Sequence, residues 1–421
     1  MTKHILIAVE NLSVPFDRRV WQESRALVGA GFKVTVISPM GTTQDFEHET
    51  VMEGVRILRY PLRFASGGPL GYLREYSSAL FHTLRLAIKV RLEGRVDVLQ
   101  SCNPPDLFFL IGLILRPLGT KFVFDHHDLV PELFVSRFPH GGMALYWMTR
   151  LAERLTFATS DAVISTNQSY RRIAMERGGK SIDDVVVVRS APDLARFNPV
   201  EPDQDLRRGA QYLLAYLGVM GPQDGVEYAL RAVKLLRDQF ARRDFHCIFM
   251  GSGDAFGELV SLSAALGLDD IVEFTGRVPD EFVQRCLSTA DVCLSPDPMN
   301  PLNNLSTMNK VVEYMAMGRP IVSFDLHEAR VSAGAAADYV EPNDERAFAE
   351  AVCHLLDDLP RRRAMGDLGR RRVEEQLSWE VSRRTLVAFY QRLLGVEDTV
   401  KPVARRSNSG RRIWASSVGA K

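Results

Sequence analysis

Paired cysteines are missing from this chain. Five cysteines stand at 102, 247, 286, 293 and 353, an odd number without one Cys-x-x-Cys. That spacing argues against a disulfide framework or a zinc site and fits a reducing, cytoplasmic setting. Surplus charge is missing too: 52 Lys and Arg balance 52 Asp and Glu. No strong overall field then draws the molecule to nucleic acid, and no nucleic-acid partner is expected. The longest apolar run, LFFLIGLIL at 107–115, is far short of the roughly 20 residues of a spanning helix. The start, MTKHILIAVENLS, turns polar too soon for a signal peptide. The expectation is a cytoplasmic protein that can touch a membrane only from its surface.

What is present is alternation. A chain of 421 residues exceeds what one hydrophobic core usually serves. Strand-like runs at 4–10, 33–39, 55–61, 96–102, 121–127, 161–167 and 184–190 alternate with helical ones such as RRVWQESRALVGAG (18–31). A second set runs at 212–218, 245–251, 271–276, 291–296, 320–324 and 338–342. Repeated βαβ units build parallel sheets with right-handed crossovers. Between the sets, APDLARFNPVEPDQDLRRGAQ (191–211) has no periodicity and reads as a linker. The predicted fold class is α/β: two tandem doubly wound, Rossmann-like domains, 1–192 and 193–378, facing across a cleft. Helix 379–395 is expected to pack back on the first domain, and 396–421, with six Lys/Arg against two Asp/Glu, to be a disordered basic tail. Ligands in such sheets bind at the carboxyl ends of strands, and here in the cleft.

Chemistry-bearing residues gather at five places. In STMNKVVEYMAMGRPIV (306–322), Ser306, Thr307, Met308 and Asn309 open a helix, whose free N–H groups attract phosphate. Lys310 adds a point charge, and Glu313, one turn on, suits a sugar diol. A capped helix with a solvated Lys–Glu pair is the plain alternative. In FVFDHHDLVPELF (122–134) a strand delivers His126, His127 and Asp128 to its carboxyl end. Loop histidines with structural neighbours would look the same. VENLSVPFDRR (9–19) offers Asn11, Phe16, Arg18 and Arg19 after the first strand. FMGSGDAFG (249–257) puts Gly251 and Gly253 in a Gly-x-Gly turn, followed by Arg277 and Val278 in GRVP (276–279). That turn is compatible with a dinucleotide but lacks the third glycine of that fingerprint. The stretch 56–95 has eight Lys/Arg against two Asp/Glu, with Tyr and Phe interleaved. It suits either a helix packed on its sheet or an anionic membrane surface. Asp-x-Asp occurs at 203–205, in the linker with no strand before it, so no metal is expected.

NKVVEYMAMGRPIV, together with DRRVWQESRALVGAGFKVTVISP, APDLARFNP, FTGRVPDEF and LSWEVSRR, resembles the retaining glycosyltransferase family four, of GT-B fold. The resemblance spans nearly the whole chain and points to the subset active in bacterial cell-surface polysaccharide assembly. It implies a nucleotide-sugar donor, with Glu313 on the ribose and Ser306–Asn309 and Lys310 at the diphosphate. Gly251, Gly253, Arg277 and Val278 would line the nucleotide pocket. His127, oriented by Asp128, would face the donor sugar, with His126 the other choice. Asn11, Phe16, Arg18 and Arg19 would meet the acceptor, a lipid-linked or polysaccharide hydroxyl at the inner membrane face. Neither cofactor nor metal is implied. The chain departs from the family at Leu305, where a second Glu is common. It departs again in LGVMGPQDGVEYALRAV (217–233), which lacks the usual diphosphate Arg and Lys at that place. Other readings are an epimerase of the same fold, a dehydrogenase using the Gly-x-Gly turn, and a degenerate, non-catalytic binder.

Overall fold

The computed structural model describes residues 2–41, 45–64, 69–138 and 141–396. The expected tail, past Val396, lies outside the described residues. The first sheet has eight strands: β1 (His4–Ala8), β2 (Lys33–Pro39), β3 (Glu49–Met52), β4 (Val55–Tyr60), β5 (Val98–Cys102), β6 (Lys121–His126), β7 (Ala162–Ser165) and β8 (Val185–Val187). Their order is β3-β4-β2-β1-β5-β6-β7-β8. All pair in parallel except β3, which closes a hairpin on β4. The second sheet comprises β9 (Tyr212–Leu217), β10 (Phe245–Met250), β11 (Val272–Gly276), β12 (Val292–Ser295), β13 (Ile321–Phe324) and β14 (Ala337–Val340). Its order is β11-β10-β9-β12-β13-β14, parallel throughout.

Each central strand reads as an unbroken apolar run because helices cover both faces of the sheet. β1 is buried at all five positions and β10 at all six. Strand order reverses beside β1 in one sheet and beside β9 in the other. Crevices at the carboxyl ends of strands open at such reversals. They fall at the loop after β1, which carries the motif at 9–19, and at the loops after β9 and β12, the latter leading to the helix start at 306–309.

The linker is less free than its composition suggests. From Phe197 onward it packs on the second domain, where Phe197 is buried. Val200 N donates to Ser288 Oγ at 2.9 Å and Asp203 N to Thr289 Oγ1 at 2.8 Å. The chain returns through the helix Trp379–Leu394, which lies against the first sheet. There Tyr390 is fully buried, and Lys121 Nζ donates to the carbonyl of Leu393 at 2.7 Å. Gly395, at φ 61°, ends the helix in the left-handed conformation that glycine adopts without strain.

The two domains touch directly. Asn167 Nδ2 donates to Leu305 O at 2.9 Å and to Thr307 Oγ1 at 3.1 Å. The hydroxyls of Tyr170 and Ser306 lie 2.8 Å apart, and Ser169 Oγ donates to Glu328 Oε1 at 2.6 Å. Leu129, Tyr170 and Ile173 pack on Leu302 behind these bonds.

Candidate functional site

The second domain supplies a lined cavity. About 280 Å³ opens between Leu217, Gly218 and Val219 after β9, Gly251 and Ser252 after β10, and Arg277 and Val278 after β11, with Arg18 and Glu313 at its edge. The glycines let these turns approach one another. A Cβ on Gly251 would stand 1.8 Å from the carbonyl oxygen of Gly218, and its φ is +137°. A Cβ on Gly253 would stand 2.6 Å from the carbonyl oxygen of Met220. No side chain fits at either position.

Glu313 sits on the helix Asn309–Ala316, with its side chain 18% exposed. Burial pushes its carboxyl up to about 7, against the opposing pull of Arg18 and Lys310. Its nearest cation is Arg18 Nη1, at 3.9 Å from the other domain. A poorly solvated carboxyl with one distant ion partner retains unused acceptor capacity. Met308 precedes the helix without a side-chain cap bond and packs into the second core. Asn309 lines a second cavity of about 170 Å³, which shares Arg18 and Glu313 with the first.

Lys310 is buried. It ion-pairs with Asp297, whose other oxygen accepts from Ser295 Oγ at 2.7 Å. The ammonium also lies 5.2 Å from the ring of Tyr216, and its Cε would be 3.1 Å from a Cβ on Gly218. Its charge therefore lies directly behind the cavity wall. Ser306 Oγ donates to the carbonyl of Leu302 at 2.8 Å and meets the Tyr170 hydroxyl of the first domain, while Thr307 Oγ1 accepts from Asn167. The segment expected to be a polar turn before this helix is partly helical. Asn300 caps Asn303 N and Pro301 begins the short helix Pro301–Leu305, the favoured place for proline.

The first domain supplies a buried polar network around His127. Asp125 sits two residues before His127, so the strand's alternation puts both on one face. His127 Nε2 is 2.9 Å from Asp125 Oδ2. The expected orienting partner, Asp128, is corrected to Asp125: Asp128 instead uses its backbone, whose N–H donates to Asn103 Oδ1 at 3.1 Å. Arg19 Nη2 donates to Asp125 Oδ1 at 2.9 Å and Arg19 Nε to His127 Nε2 at 2.9 Å. Arg19 also pairs with Glu23 at 3.0 Å and donates to the carbonyl of Val188. Its guanidinium is spent inside the domain, so its expected place at the acceptor is corrected too. Gln100 Nε2 donates to Asp125 Oδ2 at 2.8 Å and to Glu23 Oε2 at 2.7 Å. Tyr390, from the returning helix, donates to Gln100 Oε1 at 2.6 Å. Cys102, Asp125 and His127 come close enough to share a metal ion, but the Arg19 guanidinium already occupies the cation's place.

Burial pulls the His127 pKa down, but the Asp125 carboxylate raises it and prevails. Burial, with help from Arg177 and His127, holds His126 near 3 and hence neutral. His126 packs among Phe124, Phe157 and Tyr170, as an aromatic filler. Arg18 turns the other way from Arg19. Its Nη2 donates to Asp280 Oδ1 at 2.5 Å, so it bridges the domains. The Arg277 guanidinium stacks 3.7 Å from the Phe16 ring centroid, a second bridge. Asn11 is half-buried in the loop after β1.

Comparisons with known proteins agree with this architecture. Residues 17–191 match the family model described as glycosyl transferase 4-like domain, and residues 211–358 the one described as glycosyl transferases group 1. The chain is 24% identical over 360 residues to a 2-deoxystreptamine glucosyltransferase of Streptomyces kanamyceticus, spanning 82% of this chain and 89% of that protein. Its fold superposes on a sucrose-phosphate synthase of Thermosynechococcus elongatus with TM-score 0.75 at 18% identity, covering 94% of this chain and 100% of the other. The Anabaena protein HepE, solved in complex with UDP-glucose, gives TM-score 0.68 at 14% identity over 92% and 99% of the two chains.

Proposed function

From a chain that is a glycosyltransferase of the GT-B fold, with a 4-like first domain and a group 1 second domain, we propose a retaining enzyme that moves a sugar from a nucleotide-sugar to the hydroxyl of a lipid-linked or polysaccharide acceptor. The observation that carries this reading is a pair of neighbouring residues. Arg18 reaches the Glu313 cavity of the second domain, while Arg19 holds His127 in the first. One helix start thus couples a nucleotide-sized cavity to an oriented histidine across the cleft.

In this reading Glu313 accepts hydrogen bonds from the ribose diol. The turns at Gly218 and Gly251 let the nucleotide approach the backbone, and Arg277 and Val278 flank the base. The start of the helix Asn309–Ala316, with Lys310 behind it, meets the growing charge of the leaving diphosphate. His127 hydrogen-bonds the transferred sugar, with Asp125 and Arg19 fixing its ring. A solved UDP-glucose complex in the distantly related Anabaena protein supports a nucleotide-sugar as the donor class.

The test is a thermal-shift screen of nucleotide-sugars, since a ligand bound only by the folded state raises its stability, followed by paired measurements on His127→Ala. Binding of the free nucleoside diphosphate should stay nearly unchanged, while transfer falls by roughly ten- to a thousandfold, as for one positioned polar group lost at a reacting centre. Full activity in that variant would overturn the assignment of His127, and a screen in which no nucleotide-sugar stabilises the protein would overturn the donor class.

A further inference from the structure

We propose that one helical face of the first domain docks on an anionic lipid bilayer. The helix Met143–Thr159 turns its exposed side outward at Met143, Ala144, Trp147, Met148, Leu151, Arg154, Leu155 and Ala158, and only Arg154 among these is polar. A surface helix normally reverses that pattern. Met143 is 70% exposed, Trp147 61% and Leu151 57%. The neighbouring helix Phe109–Leu115 adds Leu113 and Ile114, each more than two-fifths exposed. The long helix Pro69–Glu93 covers the same side of the sheet and leaves Phe81 64% and Leu92 84% exposed. By contrast, described residues 211–378 expose large apolar side chains only at Val219, Val260, Met299 and Leu359. Exposed apolar side chains gathered on neighbouring helices in this way mark an interaction site.

The charges on this face choose the occupant. Arg74 and Arg85 stand exposed on the long helix and Arg154 on Met143–Thr159. The acidic side chains on these two helices are turned away or paired: Glu75 and Glu153 are buried, and Glu93 pairs with Arg56. A second copy docked through this face would bury these arginines without an acidic partner, since the carboxylates of both helices are turned away or paired. Lipid phosphates neutralise them while the acyl boundary takes Trp147 and Leu151, the arrangement of an interfacial amphipathic helix. No described helix is long and apolar enough to cross a membrane, so the contact is to the surface. The helix Val130–Arg137, which starts three residues after His127, packs on Met143–Thr159. A docked bilayer therefore lies beside the first-domain wall of the cleft.

The test is sedimentation of the full chain with vesicles of equal parts phosphatidylglycerol and phosphatidylcholine, and with phosphatidylcholine alone. Wild type should bind the anionic vesicles, bind neutral ones far less, and release as salt rises. Trp147→Glu with Leu151→Glu should weaken binding by at least about tenfold, because two apolar side chains no longer enter the lipid. Both positions are exposed, so the melting temperature should hold. The tryptophan emission of wild type should shift to the blue on vesicles, and Trp147→Phe should lose most of that shift. The proposal is overturned if wild type ignores anionic vesicles or prefers neutral ones, or if the double variant binds as wild type does. It is equally overturned if the double variant instead dissociates a wild-type oligomer, which would make the face a contact between copies.

Discussion

Glu313 allows the donor site to be tested without knowing the donor sugar. In the fold its carboxyl is pushed up to about 7, against 4.5 for an ordinary glutamate. Burial is the main cause, with Arg18 and Lys310 opposing it. The side chain is only 18% exposed, so solvent screening leaves most of the shift intact. At about 1.36 kcal/mol per unit, holding Glu313 ionised costs the fold on the order of 3 kcal/mol. The folded state binds the proton more tightly than the unfolded one. The cost is therefore absent well below pH 4.5, grows as pH rises, and is complete above about 7. Glu313→Gln removes it, so the variant should out-melt wild type by a margin that widens from pH 5 to pH 8. A ribose diol donating to the carboxylate favours the charged form and lowers the pKa again. Nucleotide binding at pH 6 should then release close to one proton more in wild type than in Glu313→Gln, and almost none more at pH 8.5. Calorimetry in two buffers of different ionisation heat reads this directly, and the variant subtracts the nucleotide's own titration. Equal proton release by the two proteins at pH 6 would refute the contact between Glu313 and the ribose.

Much of the architecture was legible because parallel sheets bury their strands on both faces. Thirteen of the fourteen strands among the described residues coincide with apolar runs visible in the sequence. The exception is β3, Glu49–Met52, an edge strand with no buried residue. Its hairpin rests on Glu53 and Gly54, both at positive φ, and an edge strand need not be apolar. The site was legible in its motifs and not in its partners. Asp128 is adjacent to His127 in sequence, but a strand sends neighbours to opposite faces, and Asp125 at two residues' spacing is the one that meets the ring. Gln100 and Tyr390 carried no such signal, since only pairing of β5 with β6 and the return of the last helix bring them to Asp125. Arg18 and Arg19 look equivalent in DRRVW, yet the helix turns one toward the cleft and the other into the domain. The basic stretch 56–95 was compatible with a helix packed on its sheet or with a membrane surface, and the structure shows it packed, with Ala79, Leu86, Ala87 and Val90 in the core. The exposed apolar side chains of Met143–Thr159 gave no signal of their own, because helical spacing alone does not tell an inward stripe from an outward one.

Three further substitutions bear on the site. Gly251→Ala should cost melting temperature and at least about tenfold in nucleotide affinity, because a Cβ there meets a carbonyl oxygen at 1.8 Å. Gly257→Ala, with open space around it, is the control. Lys310→Met leaves Asp297 buried and unpaired, which should destabilise by roughly 3–5 kcal/mol. Adding Asp297→Asn should restore the melting temperature. If it also restores transfer, Lys310 has no role at the diphosphate. Asp125→Asn tests the histidine's charge. Asp125 accepts from Arg19, Gln100 and, when His127 is protonated, from its Nε2. His127 holds its proton more tightly in the fold than in the unfolded chain. The stability it gains from Asp125 is therefore full below about pH 6.5 and fades as pH rises through the folded value. Asp125→Asn should remove that gain and leave the buried Arg19 with Glu23 as its one carboxylate, a loss of several kcal/mol that is larger at pH 6 than at pH 9. A proton NMR titration of the His127 ring separates this from other groups: its midpoint should fall in the variant, and the alkaline limb of the transfer profile should move with it. An unmoved midpoint would mean that Asp125 braces the fold without charging the histidine, and that the ring enters the cleft neutral.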